Sequence, residues 1–457
     1  MNDLSHDPIC ALATANGTGA IAVIRVSGTG AKALVSKTFS KDLQVLPSHT
    51  VHLGWMRSAS GERLDEVLAT LFDNGKSFTG EESVELACHG SPYIQQLLLQ
   101  RLVEVGCRMA EPGEFTKRAF LNGRLDLSQA EAVADLIAAQ SKQAHQVALQ
   151  QLRGRFSSEL QQLREQLINF AALIELELDF AEEDVEFADR SSLKQLVAAV
   201  LQMVRRLAAS FELGNAIKQG VPVAIVGAPN TGKSTLLNQL LGEERAIVSN
   251  IAGTTRDVIE EVLNIDGIQF RLIDTAGIRQ TTETIEALGI ERSQQKIEQA
   301  KIVLCLADSG DASNFQETME WVQSLKTLHP DKHILLILNK ADLNTTVNLN
   351  NQEEVLQISA LNGEGILELK NKLVQLTLGD FSIQDETIVS NARHHAALEL
   401  TAAALDRAQA GLDGQTTADF IAMDIREAMR QLGHITGQID VDTDILGTIF
   451  SKFCIGK

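Results

Sequence analysis

The spacing of hydrophobic and polar positions changes twice along this chain of 457 residues. Within the first 120 residues, short apolar runs rich in β-branched side chains predict strands over 20–26, 51–55, 67–72 and 84–88. A helical stretch follows, from Ser91 and Pro92 to about Val105. The first part of the chain is therefore predicted to be a mixed α/β domain.

Between Ser128 and about Leu213 the spacing becomes helical. Apolar residues recur three or four positions apart, as at Leu149, Leu152 and Phe156, and proline is absent. From Gly220 to about 378, strands alternate with helices; the composition then returns to helical, over 396–410 and 417–432. Two helical blocks thus flank a second α/β block.

The simplest architecture that fits this order is a multidomain protein, part α/β and part all-α, in which one α/β domain is inserted into a helical domain. Two separate helical domains are the alternative. The predicted segments are an N-terminal α/β domain over 1–122, the first part of the helical domain over 123–217, the inserted α/β domain over 218–378, and the second helical part over 379–457.

Composition narrows the classes of function. The net charge of −20 argues against gripping nucleic acid with the whole surface, so any RNA contact needs a local basic patch or a partner's surface. The five cysteines are widely spaced, which is typical of a reducing compartment rather than of disulfides or a zinc site. The sequence has no secretory signal and no apolar run of the ~20 residues that span a bilayer, so a cytoplasmic protein without a membrane anchor is expected.

A phosphate-binding loop is the strongest chemical signal. The pattern G-x-x-x-x-G-K-S extends from Gly227 to Ser234, between a predicted strand over 223–226 and a predicted helix over 235–241. In this setting backbone N–H groups face phosphate, Lys233 reaches the β- and γ-phosphates, and the Ser234 hydroxyl binds Mg²⁺. The loop residues predicted to contact the nucleotide are Asn230, Thr231, Gly232, Lys233, Ser234 and Thr235.

Three further loops, each after a predicted strand, together indicate that the nucleotide is GTP. In the first, Asp274 can hold Mg²⁺ through water and the Gly277 N–H can sense the γ-phosphate. In the second, the Asp342 carboxylate can accept two hydrogen bonds from guanine but not from adenine. In the third, backbone groups can meet guanine O6. The residues of the three loops are Asp274, Thr275, Ala276 and Gly277; Asn339, Lys340 and Asp342; and Ser359, Ala360 and Leu361.

The segment between the phosphate-binding loop and Asp274 is predicted to be a switch that the γ-phosphate orders. A threonine hydroxyl there can complete the coordination of Mg²⁺. Thr255 is the preferred ligand, although spacing alone does not separate it from Thr254. The switch residues predicted to contact the nucleotide are Ser249, Asn250, Ile251, Ala252, Gly253, Thr254 and Thr255.

The group that would orient the attacking water in GTP hydrolysis is not the usual one in this sequence. Ile278 occupies the position after D-x-x-G at which many GTPases place a glutamine that orients water. Glu283 or Glu286 could orient the water as a general base, or could be an ordinary solvated glutamate. The Asn230 side chain could bind a monovalent cation that stabilises transition-state charge, or could simply form the turn.

The whole chain resembles the bacterial MnmE family of tRNA-modification GTPases, also called TrmE. Long and specific stretches carry the resemblance: IRVSG at 24–28, FTGE at 78–81, PGEFTKRAFLNGRLDL at 112–127, AGTTRD at 252–257 and FCIGK at 453–457.

This resemblance implies an N-terminal domain that dimerises and binds a formyl-tetrahydrofolate, and a Ras-like GTPase domain inserted in the helical domain. It implies that the chain works with MnmG, a flavin- and NADH-using partner, in a heterotetramer-type complex. Together they would add a carboxymethylaminomethyl or aminomethyl group to the 5-position of the wobble uridine in certain tRNAs. The folate would supply the one-carbon unit, and the two GTPase domains would approach each other in a potassium-dependent way.

By the same resemblance, the family's GTPase residues fall on positions of this sequence. Glu286 matches the catalytic glutamate, and Arg279 is implied to help position it. The implied Mg²⁺ ligands are Ser234 and Thr255, and the implied K⁺ ligands are Asn230, Ser249, Ile251 and Thr254.

The family's folate-contacting positions fall on Arg25, Glu85, Arg124 and Lys457. Relatives often have lysine at the position of Arg124; either side chain can meet a folate carboxylate, with different geometry. From the residues alone, Arg25 and Glu85 could equally be polar residues on the outer face of a strand. Cys454 is implied to be linked to the modification reaction, with an inert buried thiol as the alternative; its neighbours do not form a prenylation signal.

Three functions fit the sequence. The first is a GTPase acting in wobble-uridine modification, the second a regulatory GTPase switch that controls assembly of an RNA or ribosomal complex, and the third a folate-dependent one-carbon enzyme with an attached GTPase. The folate-like N-terminal domain and the terminal CIGK sequence favour the first over a pure switch.

Overall fold

A computed structural model describes residues 7–179, 190–243, 261–273, 294–343, 355–379, 387–414 and 417–438. The chain separates into two compact units. One comprises Met1–Ile137, Leu149–Val200 and Leu400–Lys457, and the other comprises Ala138–Ala148 and Leu201–Glu399. Within the described residues, no helix is both long enough and apolar enough to cross a membrane.

The first unit begins with a six-stranded sheet, and the strands predicted in this part of the sequence are confirmed. The sheet order is β3-β4-β5-β2-β1-β6, antiparallel except for the β1–β6 pair. Its strands are β1 (Ile9–Leu12), β2 (Ile21–Ser27), β3 (Val51–Arg57), β4 (Arg63–Phe72), β5 (Ser83–His89) and β6 (Arg108–Met109).

Alternation along the strands gives this sheet two different faces. One face packs its apolar side chains, such as Ile24 and Leu86, against α1 (Ala31–Ser36) and α2 (Pro92–Glu104). On the opposite face, Phe115 of α3 (Glu114–Leu121) covers Ile9 and Ala11. The rest of the second face is more open, which leaves room for polar chemistry there.

Most of the helices outside the two sheets belong to the first unit, but α5 lies largely, and α8 entirely, in the second unit. Because apolar side chains recur at helical spacing over 127–219, the chain forms α4 to α8 there; the C-terminal helices are α12 and α13. Within the first unit α6 packs along α13, and Arg164 donates a 3.1 Å hydrogen bond to Gln438, 274 positions away. The two helical blocks thus pack together. Their ranges are α4 (Leu127–Ala138), α5 (Lys142–Leu152), α6 (Arg155–Asp179), α7 (Arg190–Ala209), α8 (Phe211–Gln219), α12 (Ala392–Asp413) and α13 (Ala418–Thr436).

The second unit contains a doubly wound sheet in the order β12-β11-β10-β7-β9-β8. All neighbouring strands are parallel except β8 and β9, which form a hairpin. Helices α9 and α11 cover one face and α10 the other, so the central strands are apolar on both faces. The elements are β7 (Val221–Gly227), α9 (Lys233–Glu243), β8 (Glu261–Ile265), β9 (Ile268–Leu272), β10 (Ile302–Asp308), α10 (Ala312–Leu328), β11 (His333–Asn339), β12 (Val355–Gln357) and α11 (Ile366–Leu378).

The β8–β9 hairpin has a tight turn that contacts α5. Asp266 and Gly267 both have positive φ, at 50° and 80°, as two-residue hairpin turns require. Gln143 of α5 donates a hydrogen bond from Nε2 to the Asp266 carbonyl. A side chain at position 267 would collide with Gln143, so the absence of a Cβ permits this contact.

Parallel strands β7, β10 and β11 end at the same edge of the sheet. Gly227, Asp308 and Asn339 are the last residues of these three strands. Ligands of open α/β sheets bind outside the carboxyl ends of the strands, so this edge locates the candidate site.

Candidate nucleotide and folate sites

Close backbone packing explains why the phosphate-binding loop needs its two glycines. Gly227 has φ 148° and Gly232 has φ 94°, both in the region that favours glycine. A Cβ on Gly227 would collide with the Leu306 carbonyl of β10, and a Cβ on Gly232 would collide with the Asn339 side chain. The loop can therefore lie against β10 and β11 only with glycine at both positions.

Lys233 is held within the loop rather than extended into solvent. Its Nζ donates to the carbonyl oxygens of Gly227 at 2.9 Å and Ala228 at 2.7 Å. Thr231 supports the same turn, with a 2.9 Å hydrogen bond from Oγ1 to the Ala228 carbonyl. Burial, together with the charge of Lys296, holds the pKa of Lys233 below its ordinary value. A polyphosphate beside this ammonium would favour its charged form.

The Asn339 side chain joins the phosphate-binding loop to the loop after β12. It is 2% exposed, its Nδ2 donates to the Thr231 carbonyl at 2.8 Å, and its Oδ1 accepts from the Ala360 N–H at 2.9 Å. One buried amide thus fixes two of the predicted nucleotide-binding loops relative to each other.

Asp342 and Ser359, which belong to the second and third of the predicted loops, lie side by side. The Ser359 hydroxyl donates to Asp342 Oδ1 at 2.5 Å and accepts from the Asn362 N–H at 3.2 Å. Ser359 is buried whereas Asp342 is exposed, so the buried hydroxyl orients a carboxylate that is accessible to a base. Leu361 is exposed at the rim of the same loop.

Lys340 contacts residues that the sequence reasoning missed. Its Nζ lies 2.6 Å from Asp308 Oδ2 at the end of β10, and Asp308 Oδ1 accepts from the Gly310 N–H at 2.9 Å. Burial raises the pKa of Asp308, but these hydrogen bonds outweigh burial and hold that pKa below its ordinary value. The signal in the sequence was the apolar run over 302–307 followed by Asp308 and Ser309, the same strand-then-polar pattern that marked the other loops.

The remaining GTP-site predictions divide between described and undescribed parts of the chain. Asn230, with φ 65°, is exposed in the loop, and Ser234 and Thr235 lie in the first turn of α9, where the Ser234 hydroxyl suits Mg²⁺ as an oxygen ligand. The following predicted residues lie outside the described residues: Ser249, Asn250, Ile251, Ala252, Gly253, Thr254, Thr255, Asp274, Thr275, Ala276, Gly277, Arg279 and Glu286.

A second candidate site lies on the open face of the N-terminal sheet. Arg25 of β2 is directly opposite Glu85 of β5, and its Nε donates to Glu85 Oε1 at 2.9 Å. The guanidinium carbon lies 5.3 Å from the ring centroid of Phe78 and 5.5 Å from that of Phe115. A half-buried cation close to two aromatic rings can bind a planar or anionic ligand.

The third described folate candidate, Arg124, packs against the loop that carries Phe78. A Cβ on Gly80, which has φ 80°, would lie 3.0 Å from Arg124 Cγ. Phe78 and Phe115 were within the motif stretches but were not singled out as contacts. Lys457 and Cys454 lie outside the described residues.

A buried polar network connects the two segments that carry the aromatic rings of this second site. Arg118 Nη1 donates to both carboxylate oxygens of Glu81 at 3.2 Å, and Arg118 Nη2 donates to Glu114 at 3.0 Å. Asn122 Nδ2 donates to the Thr79 carbonyl at 2.8 Å. These contacts join the FTGE loop to α3, and so fix the segments that carry Phe78 and Phe115.

Comparisons with known proteins match the chain almost end to end. The family model described as "GTP-binding protein TrmE N-terminus" matches residues 8–124, and the model described as "MnmE helical domain" matches residues 127–454.

Curated relatives carry the name tRNA modification GTPase MnmE. The protein of Christiangramia forsetii is 50% identical over 99% of this chain and 99% of its own length. The protein of Flavobacterium johnsoniae is 50% identical over 99% of this chain and all of its own. The protein of Cytophaga hutchinsonii is 51% identical over 99% of this chain and 98% of its own.

Among solved structures, the G domain of the T. maritima FeoB iron transporter is 25% identical to this chain. It covers 34% of this chain and 97% of its own length, with a TM-score of 0.25.

We expect Asn339→Ala to weaken guanine-nucleotide binding and to destabilise the second unit. The substitution leaves the Thr231 carbonyl and the Ala360 N–H without their buried partner, at a cost of about 1–3 kcal/mol for each group. Titration with a fluorescent GDP analogue and urea denaturation measure the two effects. Asn238→Ala, on the exposed face of α9, is the matched control. Equal affinity and stability for Asn339→Ala and the wild type would contradict the bridging role.

Proposed function

The chain belongs to the family of tRNA modification GTPases called MnmE, and from that premise we propose how its GTPase and its N-terminal domain serve wobble-uridine modification. We propose that it hydrolyses GTP with stimulation by potassium and, with MnmG, adds a carboxymethylaminomethyl group to the 5-position of the wobble uridine, using a folate one-carbon unit. The observation that carries the GTPase part is the Asn339 bridge, which brings the phosphate-binding loop and the base-binding loops to one sheet edge.

In the proposed hydrolysis, the protein positions GTP and stabilises charge that develops on the phosphates. Lys233 contacts the β- and γ-phosphates, while Ser234 and Thr255 would hold Mg²⁺, which neutralises phosphate charge. Asp342 accepts hydrogen bonds from the guanine base. Glu286 orients the attacking water as a general base, and Arg279 positions Glu286. Since Ile278 cannot orient water, a group from outside the D-x-x-G turn must do so.

A potassium ion would add positive charge beside the phosphates. Asn230, Ser249, Ile251 and Thr254 are the proposed ligands. Asn230 has a positive φ, as a turn-forming asparagine does, and its side chain is exposed in the phosphate-binding loop, so its amide oxygen is accessible to a cation beside the phosphates.

We expect GTP turnover to be at least about tenfold faster in potassium than in sodium, since each 1.4 kcal/mol of transition-state stabilisation gives tenfold in rate. Asn230→Ala should remove the difference in turnover between the two salts.

Glu286→Ala should abolish GTP hydrolysis in both potassium and sodium while GDP binding persists. Steady-state phosphate release and fluorescent-GDP titration make these measurements. Equal turnover in the two salts would remove the role of Asn230, and full turnover by Glu286→Ala would assign water activation to another group.

The N-terminal site fits a folate. Folates combine a flat conjugated ring system with carboxylates, and Arg25 lies close to the rings of Phe78 and Phe115 and beside Glu85. Arg124 and Lys457 are the proposed partners of the folate's acidic groups. When bound, a formyl-tetrahydrofolate supplies the one-carbon unit; the chain's own residues bind and orient it.

We expect Arg25→Ala to weaken binding of 5-formyl-tetrahydrofolate by about tenfold or more, because it removes a charge-assisted contact worth roughly 1.5–3 kcal/mol. Isothermal titration calorimetry measures the affinity. Arg63→Ala is the matched control, since the Arg63 guanidinium also lies over an aromatic ring, 4.6 Å from the centroid of Trp55. Equal loss in both variants, or no loss in either, would argue against a folate site at Arg25.

The same open sheet face supports a homodimer. Leu53 of β3 and Leu68 of β4 are opposite each other and are 52% and 44% exposed. Ile21 and Val51 extend this apolar surface. Burying exposed apolar side chains against a second copy is favourable.

We further propose a cytoplasmic location, MnmG and tRNA as partners, and a role for Cys454 in the modification reaction.

We expect tRNA from a strain lacking this chain to have lost the carboxymethylaminomethyl group from its wobble uridines. Mass spectrometry of digested tRNA nucleosides measures the loss. Wild-type chain should restore the modification, whereas Lys233→Ala, which loses its phosphate contact, should not. An unchanged nucleoside profile, accompanied by a defect in ribosome assembly, would favour the regulatory-switch alternative.

A further inference from the structure

We propose that Asp308 and Ser309 are positioning residues for guanine recognition, because they fix the backbone of Lys340 and thereby the direction of Asp342. This inference rests on the base-reading role proposed for Asp342. It adds a group from β10, a strand that supplies none of the predicted nucleotide contacts.

Lys340 has an unusual backbone conformation that its neighbours must maintain. Its φ is 65°, in the left-handed region that side-chain-bearing residues rarely adopt. This turn at Lys340 lies between two side chains that have different partners. Asn339 points inward to the phosphate-binding loop, while Asp342, three positions later, is exposed beside Ser359. The left-handed turn at Lys340 ends β11 and lets Asp342 reach Ser359 in the loop after β12 instead of continuing along the strand.

The turn after β10 holds Lys340 at both its backbone and its side chain. Ser309 Oγ donates to the Lys340 carbonyl at 2.7 Å, and the Ser309 N–H donates to the Asn339 carbonyl at 2.9 Å. Asp308 Oδ2 binds the Lys340 ammonium at 2.6 Å. On the side of β12, the Ala341 N–H donates to the Ile358 carbonyl at 3.0 Å, which fixes the backbone just after Lys340.

Burial makes this turn a firm support. Ser309 is fully buried, and the Asp308 side chain is 21% exposed. The Gly310 N–H donates to Asp308 Oδ1, so both carboxylate oxygens have partners and the carboxylate has a fixed orientation. Neither residue lies in a loop predicted to touch GTP, which is why we assign them a positioning role.

The test measures the dissociation rate of a fluorescent GDP analogue by stopped flow, using the full-length chain. Asp308→Asn keeps the size of the side chain and an acceptor for Gly310 but loses the ion pair with Lys340. We expect it to raise the dissociation rate and the KM for GTP about tenfold, as the loss of one charge-assisted hydrogen bond implies, while kcat at saturating GTP changes less than about twofold.

Asp311→Asn is the matched control, since Asp311 is a carboxylate of the same turn that caps α10 through the N–H groups of Ser313 and Asn314. It should leave GDP dissociation unchanged. Should Asp308→Asn fail to fold, Ser309→Ala tests the same hold, with an expected rise of about threefold in the dissociation rate.

Wild-type GDP dissociation in Asp308→Asn would overturn the proposal, as would an equal fall in kcat and in kcat/KM accompanied by a lower melting temperature, which marks general destabilisation. A second substitution, Asp342→Asn, tests the base-reading role of Asp342 separately. It should bind a xanthosine diphosphate better than GDP, because the amide reverses the hydrogen-bonding preference. Failure of that exchange would remove the role of Asp342 and with it this inference, whereas a successful exchange together with wild-type GDP dissociation in Asp308→Asn would overturn the positioning role alone.

Discussion

The nucleotide site depends on one buried amide, that of Asn339. Three strands of the parallel sheet deliver their following loops to a common edge, but strands alone do not fix how those loops lie relative to one another. Asn339 supplies that constraint, with its donor on the phosphate-binding loop and its acceptor on the loop after β12. A buried amide satisfied at both ends is rigid, because moving either loop leaves a polar group unpaired in the interior.

The N-terminal site is built on a different principle. Its proposed ligand contacts Arg25 and Glu85 lie on the face of a sheet, and the buried Arg118 network joins the FTGE loop to α3. A buried arginine with several carboxylate partners is costly to desolvate, so the network contributes more to the position of α3 and the FTGE loop than to net stability. In both sites, buried polar groups thus orient the exposed residues that are proposed to contact the ligand.

Much of this organisation could be predicted from the sequence. The strands over 20–26, 51–55, 67–72 and 84–88 and the helices at 91–105 and 128–213 follow from hydrophobic spacing, because each element buries one face. The phosphate-binding loop was predictable because its chemistry needs glycine, lysine and serine at fixed spacing. Arg25 and Glu85 were predictable as candidate ligand contacts only through the family resemblance, and their pairing was not predicted, since nothing local shows that β2 and β5 are neighbours.

Residues that act through long-range contacts were not predictable. The apolar run before Asp308 marks the end of a strand, but nothing local shows that Asp308 pairs with Lys340, 32 positions away. The aromatic rings around Arg25 come from two segments, near 78 and 115, that only the folded sheet and α3 bring together. Local spacing reports which face of an element is buried; it does not report which side chain from another element arrives there.

The turn at Asp266 and Gly267 has a mechanical consequence. The hairpin β8–β9 is the stretch of chain between the predicted switch residues near 255 and the D-x-x-G turn at 274, and its tip is bonded to the N-terminal end of α5. Moving the tip of the ribbon away from α5 would break the Gln143–Asp266 hydrogen bond. Helix α5 therefore limits how far the closed end of the β8–β9 ribbon can move.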